Sequence, residues 1–407
     1  MKIYISGISG TGMGPLALMA KDAGVTVYGS DLAEGPVNEG LKEAGIEFEI
    51  GEQDGTFLQE KIDEGVEWFV YTSALPDDHP ELVMARRAGL KVTKRDKMIA
   101  FLVEKLKLKM VAVAGTHGKT TTSAMIVFAA FKLKIPISYI VGTTLGYSPS
   151  GFYAPGSEFF VYEADEYDRN FLEYHPWLSI ITYVSHDHPD IYPTKDDYND
   201  AFQQFYRQSR KVIRSGELNP DDFKLAGRVR REDATLAVEA ICEMAPWVKR
   251  EQVLEILNNF PGVRRRFERL ADGIYTDYAH HPEEVKATVD VALDEARIRG
   301  KRGIVVVYQP HQNTRQHSVR EGYREAFLGA DKVYWLPTFL TRENPNLRVL
   351  KPEELISGLE NAEIAEATTL DEELWQKMAE WRDAGYLVVL MTAGSADKWL
   401  RKRFGIL

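Results

Sequence analysis

The sequence predicts a three-domain α/β protein with mostly parallel sheets. Its 407 residues are more than one compact core usually contains, and the usual domain size corresponds to about two or three domains. Three segments, residues 1–107, 108–268 and 269–407, each begin with or near an apolar strand. Strands that alternate with helices favour parallel pairing, because the helices form the crossover connections.

Composition limits the classes of partner and compartment. Hydrophobic residues make up 44% of the chain and the formal net charge is −11, whereas proteins that bind nucleic acid are usually basic. The single cysteine, Cys242, excludes an internal disulfide framework and a cysteine-ligated zinc cluster. The sequence contains neither a signal-peptide pattern nor an apolar run of membrane-spanning length. We therefore expect a cytoplasmic protein without nucleic acid or membrane partners; the sequence indicates no oligomeric state.

The first segment begins with a strand–turn–helix–strand unit typical of nucleotide-binding domains. Strands are predicted at Lys2–Ser6 and Val25–Tyr28, with a helix at Pro15–Ala23 between them. The turn before the helix is rich in glycine and contains Gly7, Gly10, Gly12 and Met13. Its spacing differs from G-x-G-x-x-G, although an NAD-binding Rossmann domain is one interpretation of this segment alone. Asp31 follows the second strand, where it can accept a ribose hydroxyl or cap the next turn.

The second segment contains a glycine turn and a lysine between a strand and a helix. An apolar strand at Lys109–Ala114 leads into Gly115-Thr116-His117-Gly118-Lys119-Thr120-Thr121, and an apolar helix continues over 123–131. Backbone N–H groups at the helix start and the Lys119 ammonium are suited to polyphosphate, and the Thr120 hydroxyl to Mg²⁺. The run departs from a standard Walker A motif, since Val113 stands where its first glycine would be. An ordinary glycine-rich turn is the alternative.

Acidic residues follow two further strands of this segment. The strand at Phe159–Tyr162 ends in residues 163–168, which include Glu163, and the strand at Trp177–Val184 ends in residues 185–190, which include His188. The carboxyl ends of parallel strands lie at one edge of a sheet, so these groups should converge on the Lys119 loop. Carboxylates and a histidine beside polyphosphate are suited to Mg²⁺. The alternative is a pair of solvated loops.

An arginine-rich run at 264–266 precedes the third segment. On its own, such a run is typical of a solvated face. A motif at 274–282 precedes strands that the apolar pattern predicts. These are Gly303–Tyr308, Val333–Leu336 and Tyr386–Met391. The alternation again indicates a mostly parallel sheet.

Five motifs together resemble the Mur ligases, in an order that runs through nearly the whole chain. They are residues 115–121, 163–166, 187–188, 265–268 and 277–282. The resemblance implies an N-terminal Rossmann-like domain for a UDP-sugar, a shortened central P-loop-type ATPase domain and a C-terminal Rossmann-like domain. The glycine turn, Asp31 and Gln309-Pro310-His311 look like members that join L-alanine to UDP-N-acetylmuramate. Residues 166–168 and 313–314 look more like members that attach a recycled tripeptide.

The resemblance also implies a reaction and its residues. The sugar's lactyl carboxylate would take the γ-phosphoryl group of ATP, and the amino acid's amine would attack the resulting acyl phosphate. Lys119 would hold the β- and γ-phosphates within the 115–121 loop. Thr120 and Glu163 would hold one Mg²⁺ ion, and Glu163 with His188 a second. A structural histidine that caps its loop is the alternative for His188. Arg266 would reach the phosphates and Asp277 the ATP ribose.

For the acceptor, Arg315 is expected to hold the α-carboxylate as a bidentate fork, with a surface salt bridge as the alternative. Tyr278, His281 and His311 would line this amino-acid pocket. The first domain would bind the UDP-sugar through Gly7, Gly10, Gly12, Met13, Asp31 and Ser73.

Several positions depart from the family pattern. The run Gly227–Ala234 stands where Mur ligases usually carry Gly-x-His-Asn-x-x-Asn-Ala, so the histidine and both asparagines are absent. Tyr183 replaces an asparagine, 392–395 replaces a Gly-Ala-Gly-Asp run, and the interval from 190 to 227 is short. A protein that binds nucleotide without ligase turnover is therefore a further alternative.

Overall fold

The computed structural model describes residues 1–72, 75–143, 145–188, 191–341 and 343–406. These residues form two compact units. The first unit comprises residues 1–223 and 232–260, and the second comprises residues 224–231 and 261–407 as far as they are described.

The first unit begins with a parallel sheet in the order β3-β2-β1-β4-β5. Its strands are β1 (Lys2–Ser6), β2 (Thr26–Asp31), β3 (Glu47–Ile50), β4 (Trp68–Tyr71) and β5 (Lys91–Lys94). Its helices are α1 (Met13–Asp22), α2 (Asn38–Glu43), α3 (Thr56–Asp63), α4 (Pro80–Arg87) and α5 (Arg95–Lys105). The strand order reverses beside β1, and in open α/β sheets ligands bind at such a reversal, so the glycine turn after β1 lies at the expected place for a ligand.

The second sheet of this unit has the order β11-β10-β6-β9-β7-β8. Its strands are β6 (Lys109–Ala114), β7 (Ile137–Ile140), β8 (Gly151–Phe152), β9 (Phe159–Glu163), β10 (Leu178–Ile181) and β11 (Val212–Ile213). Helices α6 (Lys119–Lys132), α7 (Lys195–Gln208), α8 (Arg228–Met244) and α9 (Arg250–Leu257) accompany it, with 3₁₀ turns at Tyr167–Glu173 and Pro220–Asp222. β6 pairs in parallel with β9 and β10, so the three strand ends share one edge.

The sheet of the second unit has the order β12-β13-β17-β14-β15-β16. Its strands are β12 (Glu268–Ala271), β13 (Ile274–Asp277), β14 (Ile304–Gln309), β15 (Lys332–Trp335), β16 (Ala365–Ala367) and β17 (Leu387–Thr392). Its helices are α10 (Pro282–Ile298), α11 (Asn313–Val319), α12 (Pro352–Ile356), α13 (Glu372–Asp383) and α14 (Ala396–Arg403), with 3₁₀ turns at Arg320–Tyr323 and Ala362–Ile364. β12 pairs antiparallel with β13, and the other pairs are parallel.

The central strands explain the apolar runs in the sequence. β6 is buried along nearly its whole length and β14 along all of it, because helices cover both faces of these sheets. The predicted strand at 177–184 is shorter in the structure, where β10 ends at Ile181. Its last residues leave the ladder to bond the glycine loop, since Tyr183 O accepts from Thr116 N at 2.7 Å. Along the described ranges, no helix combines the length and apolar character needed to cross a membrane.

Candidate active site

The loop between β6 and α6 requires glycine at two positions. Gly115 has a φ of +142° and Gly118 a φ of +86°, both in the region that disfavours other residues. A Cβ at position 115 would lie 2.2 Å from Thr182 Oγ1, and one at position 118 would lie 2.4 Å from Asp233 Oδ1. Gly118 is also the N-cap of α6. The loop therefore wraps tightly around the positive end of a helix, a geometry that favours anions.

Lys119 projects back into this loop. Its Nζ donates to Glu166 Oε2 at 2.8 Å, to Thr116 O at 3.3 Å and to Gly115 O. The side chain is 14% exposed and that of Glu166 only 1%. Burial by itself lowers the pKa of Lys119, but the charges of Glu166 and Asp165 outweigh it and raise that pKa. The ammonium is therefore held charged inside the loop.

Thr120 and Glu163 lie in contact, as the motif predicts. Thr120 Oγ1 donates to Glu163 Oε1 at 2.7 Å, and Gly142 N donates to Glu163 Oε2 at 3.1 Å. A hydroxyl and a carboxylate are the oxygen ligands that Mg²⁺ prefers, so the pair fits this ion. Within the described ranges, no group of three or more His, Cys, Asp or Glu side chains is arranged to hold a metal.

His188 faces a different carboxylate from the one expected. Its Nε2 lies 3.9 Å from Glu166 Oε1 and 3.7 Å from Asp187 Oδ2. Its ring packs edge-on against Tyr167, with 5.1 Å between centroids, and its φ is +55°. The structure therefore joins His188 to the Lys119–Glu166 pair, and its metal role stays a prediction.

Glu166 belongs to the motif at 163–166, but the sequence predicted no role for this residue. Its Oε1 accepts from Tyr198 Oη at 3.2 Å, and its carbonyl accepts from Tyr192 Oη at 2.6 Å. Burial raises the pKa of Glu166, and the Lys119 charge opposes that shift. The acidic run after β9 was the available signal, because Glu166, within that run, lies at the sheet edge that carries Lys119.

The remaining loop residues hold the loop in place. Thr116 Oγ1 bonds Ser185 O and Tyr198 Oη, both at 2.7 Å. The His117 ring stacks on Tyr183 with 6.0 Å between centroids, and Thr121 lies half-buried in the first turn of α6.

The glycine turn of the first sheet is fastened to β2. Gly7 N and Ile8 N both donate to Ser30 O, at 2.8 and 3.0 Å. Asp31 Oδ2 accepts from Ser9 N at 2.9 Å, so this carboxylate supports the turn whether or not it also meets a ribose. Of the other predicted residues, Gly10 and Gly12 lie in the turn, Met13 is buried at the start of α1, and Ser73 lies outside the described residues.

In the second unit, buried nitrogens without partners mark the predicted acceptor pocket. Among the described residues, Arg315 Nη1 and His311 Nδ1 are buried and make no hydrogen bond. Burial, then the charges of His280 and Arg315, lower the pKa of His311 to about 4. The His280 ring lies edge-on to both Tyr278 and His311, at 5.4 and 5.6 Å. A buried neutral histidine and an arginine with a free N–H are suited to a carboxylate ligand.

His281 serves the helix that follows it. It is the N-cap of α10, and its Nδ1 accepts from Glu283 N at 3.4 Å. The structure therefore shows a capping role for His281, and its place in the amino-acid pocket stays a prediction.

Asp277 is buried and accepts three hydrogen bonds from its own unit. Its Oδ2 accepts from Phe267 N at 2.6 Å, and its Oδ1 accepts from Ala279 N at 2.7 Å and Thr288 Oγ1 at 3.2 Å. Burial raises the pKa of Asp277, and the charge of Arg266 opposes the rise. The carboxylate thus braces the segment that carries Arg266, and the ribose and phosphate roles of these two residues stay predictions.

Comparison with known proteins identifies the family. Three family descriptions match successive parts of the chain: "Mur ligase family, catalytic domain" at 2–106, "Mur ligase middle domain" at 113–235 and "Mur ligase, glutamate ligase domain" at 265–394. A curated UDP-N-acetylmuramate–L-alanine ligase from Limosilactobacillus reuteri is 31% identical to the chain, covering 98% of this chain and 97% of that protein. The chain belongs to the Mur ligase family.

Solved structures of Mur ligases share the fold. A UDP-N-acetylmuramate-alanine ligase from Thermotoga maritima matches 100% of this chain and 99% of its own with a TM-score of 0.78 and 23% identity. A murein peptide ligase from Psychrobacter arcticus matches 100% of this chain and 98% of its own with a TM-score of 0.64 and 20% identity. The family and the three-domain α/β fold expected from the sequence are thereby confirmed.

Two departures from the Mur ligase pattern have a visible setting. Asp233, where the family has its second asparagine, lies against Gly118 of the phosphate loop. Tyr183 replaces another asparagine, and its carbonyl and ring contact the loop at Thr116 and His117. Both substitutions therefore border the predicted ATP site.

Proposed function

We propose that this Mur ligase joins L-alanine to the lactyl carboxylate of UDP-N-acetylmuramate, with cleavage of ATP to ADP and phosphate. The observation that carries the proposal is the similarity to curated proteins of that name along nearly the whole chain. Relatives named in the same way also occur at 33% identity over 81% of the chain.

The reaction begins with transfer of the γ-phosphoryl group of ATP to the lactyl carboxylate. A carboxylate is a poor electrophile, and the acyl phosphate gives it a leaving group that the amine of L-alanine then displaces. The protein's task is to align the reactants and to neutralise charge. Lys119 is already charged and aimed into a loop of backbone amides, which supports its role at the β- and γ-phosphates.

Thr120 and Glu163 would hold Mg²⁺, which neutralises phosphate charge during the transfer. Before ATP binds, Glu166 accepts a hydrogen bond from the Lys119 ammonium and orients it. The phosphates of incoming ATP must then compete with this carboxylate for the ammonium. His188 Nε2 lies 3.9 Å from the other oxygen of the same carboxylate, so we assign His188 to the Lys119–Glu166 network. A second Mg²⁺ ion, held by Glu163 and His188, stays a proposal.

The half-buried side chain of Arg315 supports the proposal that the acceptor is a small amino acid. Its buried and unpartnered Nη1 offers an N–H to the α-carboxylate, and the neutral His311 beside it adds no competing charge. The tripeptide acceptor of murein peptide ligases would use the same carboxylate chemistry, so the choice between acceptors requires a direct test.

The experiment measures ADP release with ATP, Mg²⁺ and UDP-N-acetylmuramate, in the absence of amine or with L-alanine, glycine, L-serine or L-Ala-γ-D-Glu-diaminopimelate. Stimulation by L-alanine supports the proposal, and stimulation by the tripeptide alone moves the protein to muropeptide recycling. Silence with every acceptor, in a folded protein that binds ATP, would favour nucleotide binding without turnover. Lys119→Ala controls for contaminating ATPases, because it removes the phosphate-binding ammonium.

A further inference from the structure

His280 is held by hydrogen bonds on both sides of its backbone. It follows β13, at the carboxyl edge of the sheet in the second unit. The buried hydroxyls of Tyr308 and Tyr323 donate to its carbonyl oxygen at 3.1 and 3.4 Å. Its N–H donates to Glu284 Oε2 at 3.1 Å. These bonds fix the direction in which the side chain leaves the backbone, as precise chemistry at a side chain requires.

The imidazole ring of His280 is held in one tautomer. Its Nδ1 lies 3.0 Å from Tyr278 O and 3.2 Å from Glu284 Oε2. A carbonyl oxygen and an ionised carboxylate only accept hydrogen bonds, so Nδ1 carries the proton. In the neutral ring the lone pair is therefore on Nε2. A carboxylate that fixes the tautomer of a histidine prepares its other nitrogen to accept a proton.

Burial and charge keep this ring neutral. The side chain of His280 is 18% exposed. Burial lowers the pKa of His280 most, and the positive charges of Arg315 and Arg266 lower it further. The charge of Glu284 and the Tyr278 carbonyl raise this pKa, but they do not outweigh the burial. Because the pKa stays below the ordinary value for histidine, Nε2 is free of a proton at neutral pH.

His280 borders the two unpartnered groups of the predicted acceptor pocket. Its ring lies edge-on to that of His311, with 5.6 Å between centroids, and the charge of Arg315 acts on both histidines. In the described part of the chain, His311 Nδ1 and Arg315 Nη1 are buried and make no hydrogen bond. An amino acid whose carboxylate bonds to Arg315 carries its ammonium group on the next carbon. The ammonium would therefore enter the same pocket as the His280 lone pair.

We propose that His280 is a catalytic residue whose Nε2 takes a proton from the ammonium group of the acceptor amino acid, and that Glu284 positions it. This inference rests on the proposed function, because it takes an amino acid and an acyl phosphate as the reactants. An ammonium has no lone pair, so it must lose a proton before its nitrogen can attack a carbonyl carbon. Burial beside the Arg315 charge lowers the pKa of the bound ammonium, which favours this transfer.

Amide formation requires two proton transfers. Loss of the first proton to Nε2 leaves a lone pair on the amine nitrogen, and this pair forms the bond to the acyl carbon. The bond between that carbon and the phosphate oxygen breaks, and its electron pair leaves with phosphate. The second proton moves from the nitrogen to the phosphate, so the amide keeps one N–H. The proton on Nε2 then passes to solvent, which restores the neutral ring.

Two nucleophiles separate this proton transfer from the earlier steps, with the full chain, ATP, Mg²⁺ and UDP-N-acetylmuramate present. At neutral pH the amino group of L-alanine is protonated, whereas hydroxylamine is not and converts an acyl phosphate to a hydroxamate without a base. We expect His280→Asn to lower kcat with L-alanine by roughly 100-fold or more, with KM for L-alanine little changed. Hydroxamate formation without L-alanine should keep its wild-type rate.

The variants are chosen to preserve the fold. In His280→Asn the amide N–H can replace Nδ1–H as the donor to Tyr278 O, while nothing replaces Nε2. His317→Gln is the control, because it removes an exposed histidine that bonds to Arg348 O, and its kcat should be unchanged. Wild-type hydroxamate formation by His280→Asn would itself show that this variant is folded.

Glu284→Gln tests the positioning role through the pH profile of kcat. Since the reaction needs the neutral ring, kcat with L-alanine should fall as the pH drops through the pKa of His280. Glutamine keeps an oxygen for Nδ1–H but removes a charge that raises this pKa, so the acidic limb should move to lower pH. Asp290→Asn removes a carboxylate of the same helix that faces Lys286 and Asp294, and it should leave the limb in place.

Loss of the L-alanine product alone, together with the shifted limb in Glu284→Gln, supports the proposal. A higher KM for L-alanine with unchanged kcat in His280→Asn would make His280 a binding residue and overturn it. Equal loss of hydroxamate and of the L-alanine product would also overturn it, because the defect would precede attack by the amine. An unmoved limb in Glu284→Gln would overturn the positioning role. If the wild type forms neither product, the proposed function itself fails.

Discussion

Glu166 is the buried partner of Lys119, and replacing it by Gln measures how much its negative charge contributes to stability. The two side chains meet at 2.8 Å and are 1% and 14% exposed, so solvent screens the pair little. At an effective dielectric constant of about 20, charges at this distance attract by about 6 kcal/mol. The substitution keeps the shape of the side chain and one oxygen acceptor, while it removes the negative charge.

The expected loss of stability is smaller than that attraction. The glutamine oxygen and the carbonyls of Gly115 and Thr116 still accept from Lys119. Breaking a buried pair by removing one partner usually costs about 3–5 kcal/mol, and these acceptors place Glu166→Gln near 3. For a unit of this size, we expect the melting temperature to fall by roughly 6–12 °C.

ATP should reverse part of this loss. Its phosphates supply the anion that Lys119 lacks in the variant, whereas in the wild type they must displace Glu166. We therefore expect saturating ATP and Mg²⁺ to raise the melting temperature of Glu166→Gln by more than that of the wild type. Differential scanning calorimetry with and without ATP measures both quantities.

Glu173→Gln is the control, because Glu173 pairs with Lys97 in an exposed ion pair worth about 0–1 kcal/mol. If Glu166→Gln melted within about 2 °C of the wild type, or gained no extra stability from ATP, the account of Lys119 as a cation held by a buried carboxylate would be refuted.

Four further outcomes follow from the site. Lys119→Ala should abolish ADP release while UDP-sugar affinity is retained, and equal loss of both in calorimetry would contradict the division of roles between the domains. Arg315→Ala should raise KM for L-alanine by 10-fold or more, whereas an unchanged KM would return Arg315 to the surface salt-bridge interpretation. The pKa of His311 is lowered to about 4, so as the pH falls the unfolded chain takes up the proton of this histidine before the folded chain does. The free energy of unfolding should therefore fall as the pH drops from about 6.5 to 4, and it should fall less in His311→Gln. Asp233→Asn removes a carboxylate beside Gly118, so KM for ATP should fall at low salt; a rise would show that this carboxylate supports the loop.

The sequence predicted those parts of the fold that depend on local patterns. Continuous apolar runs marked β1, β6 and β14, because strands covered on both faces need apolar residues at every position. Short or partly exposed strands such as β3 and β8 carry no such run, so the apolar pattern does not predict them. The end of β10 was placed too late, because Thr182 and Tyr183 are β-branched and aromatic residues typical of strands. In the structure Thr182 N still donates to Ala114 O, but the Thr182 hydroxyl and the Tyr183 carbonyl bond the glycine loop.

In the candidate site, too, some features were predictable from the sequence and others were not. The loop around Lys119 and the Thr120–Glu163 contact were predictable, since glycine spacing fixes a turn and parallel strand order brings strand ends together. The partners of charged groups were not, because they depend on side-chain direction across the sheet edge. Glu163 and Glu166 look alike in sequence, yet one meets the Thr120 hydroxyl and the other the Lys119 ammonium.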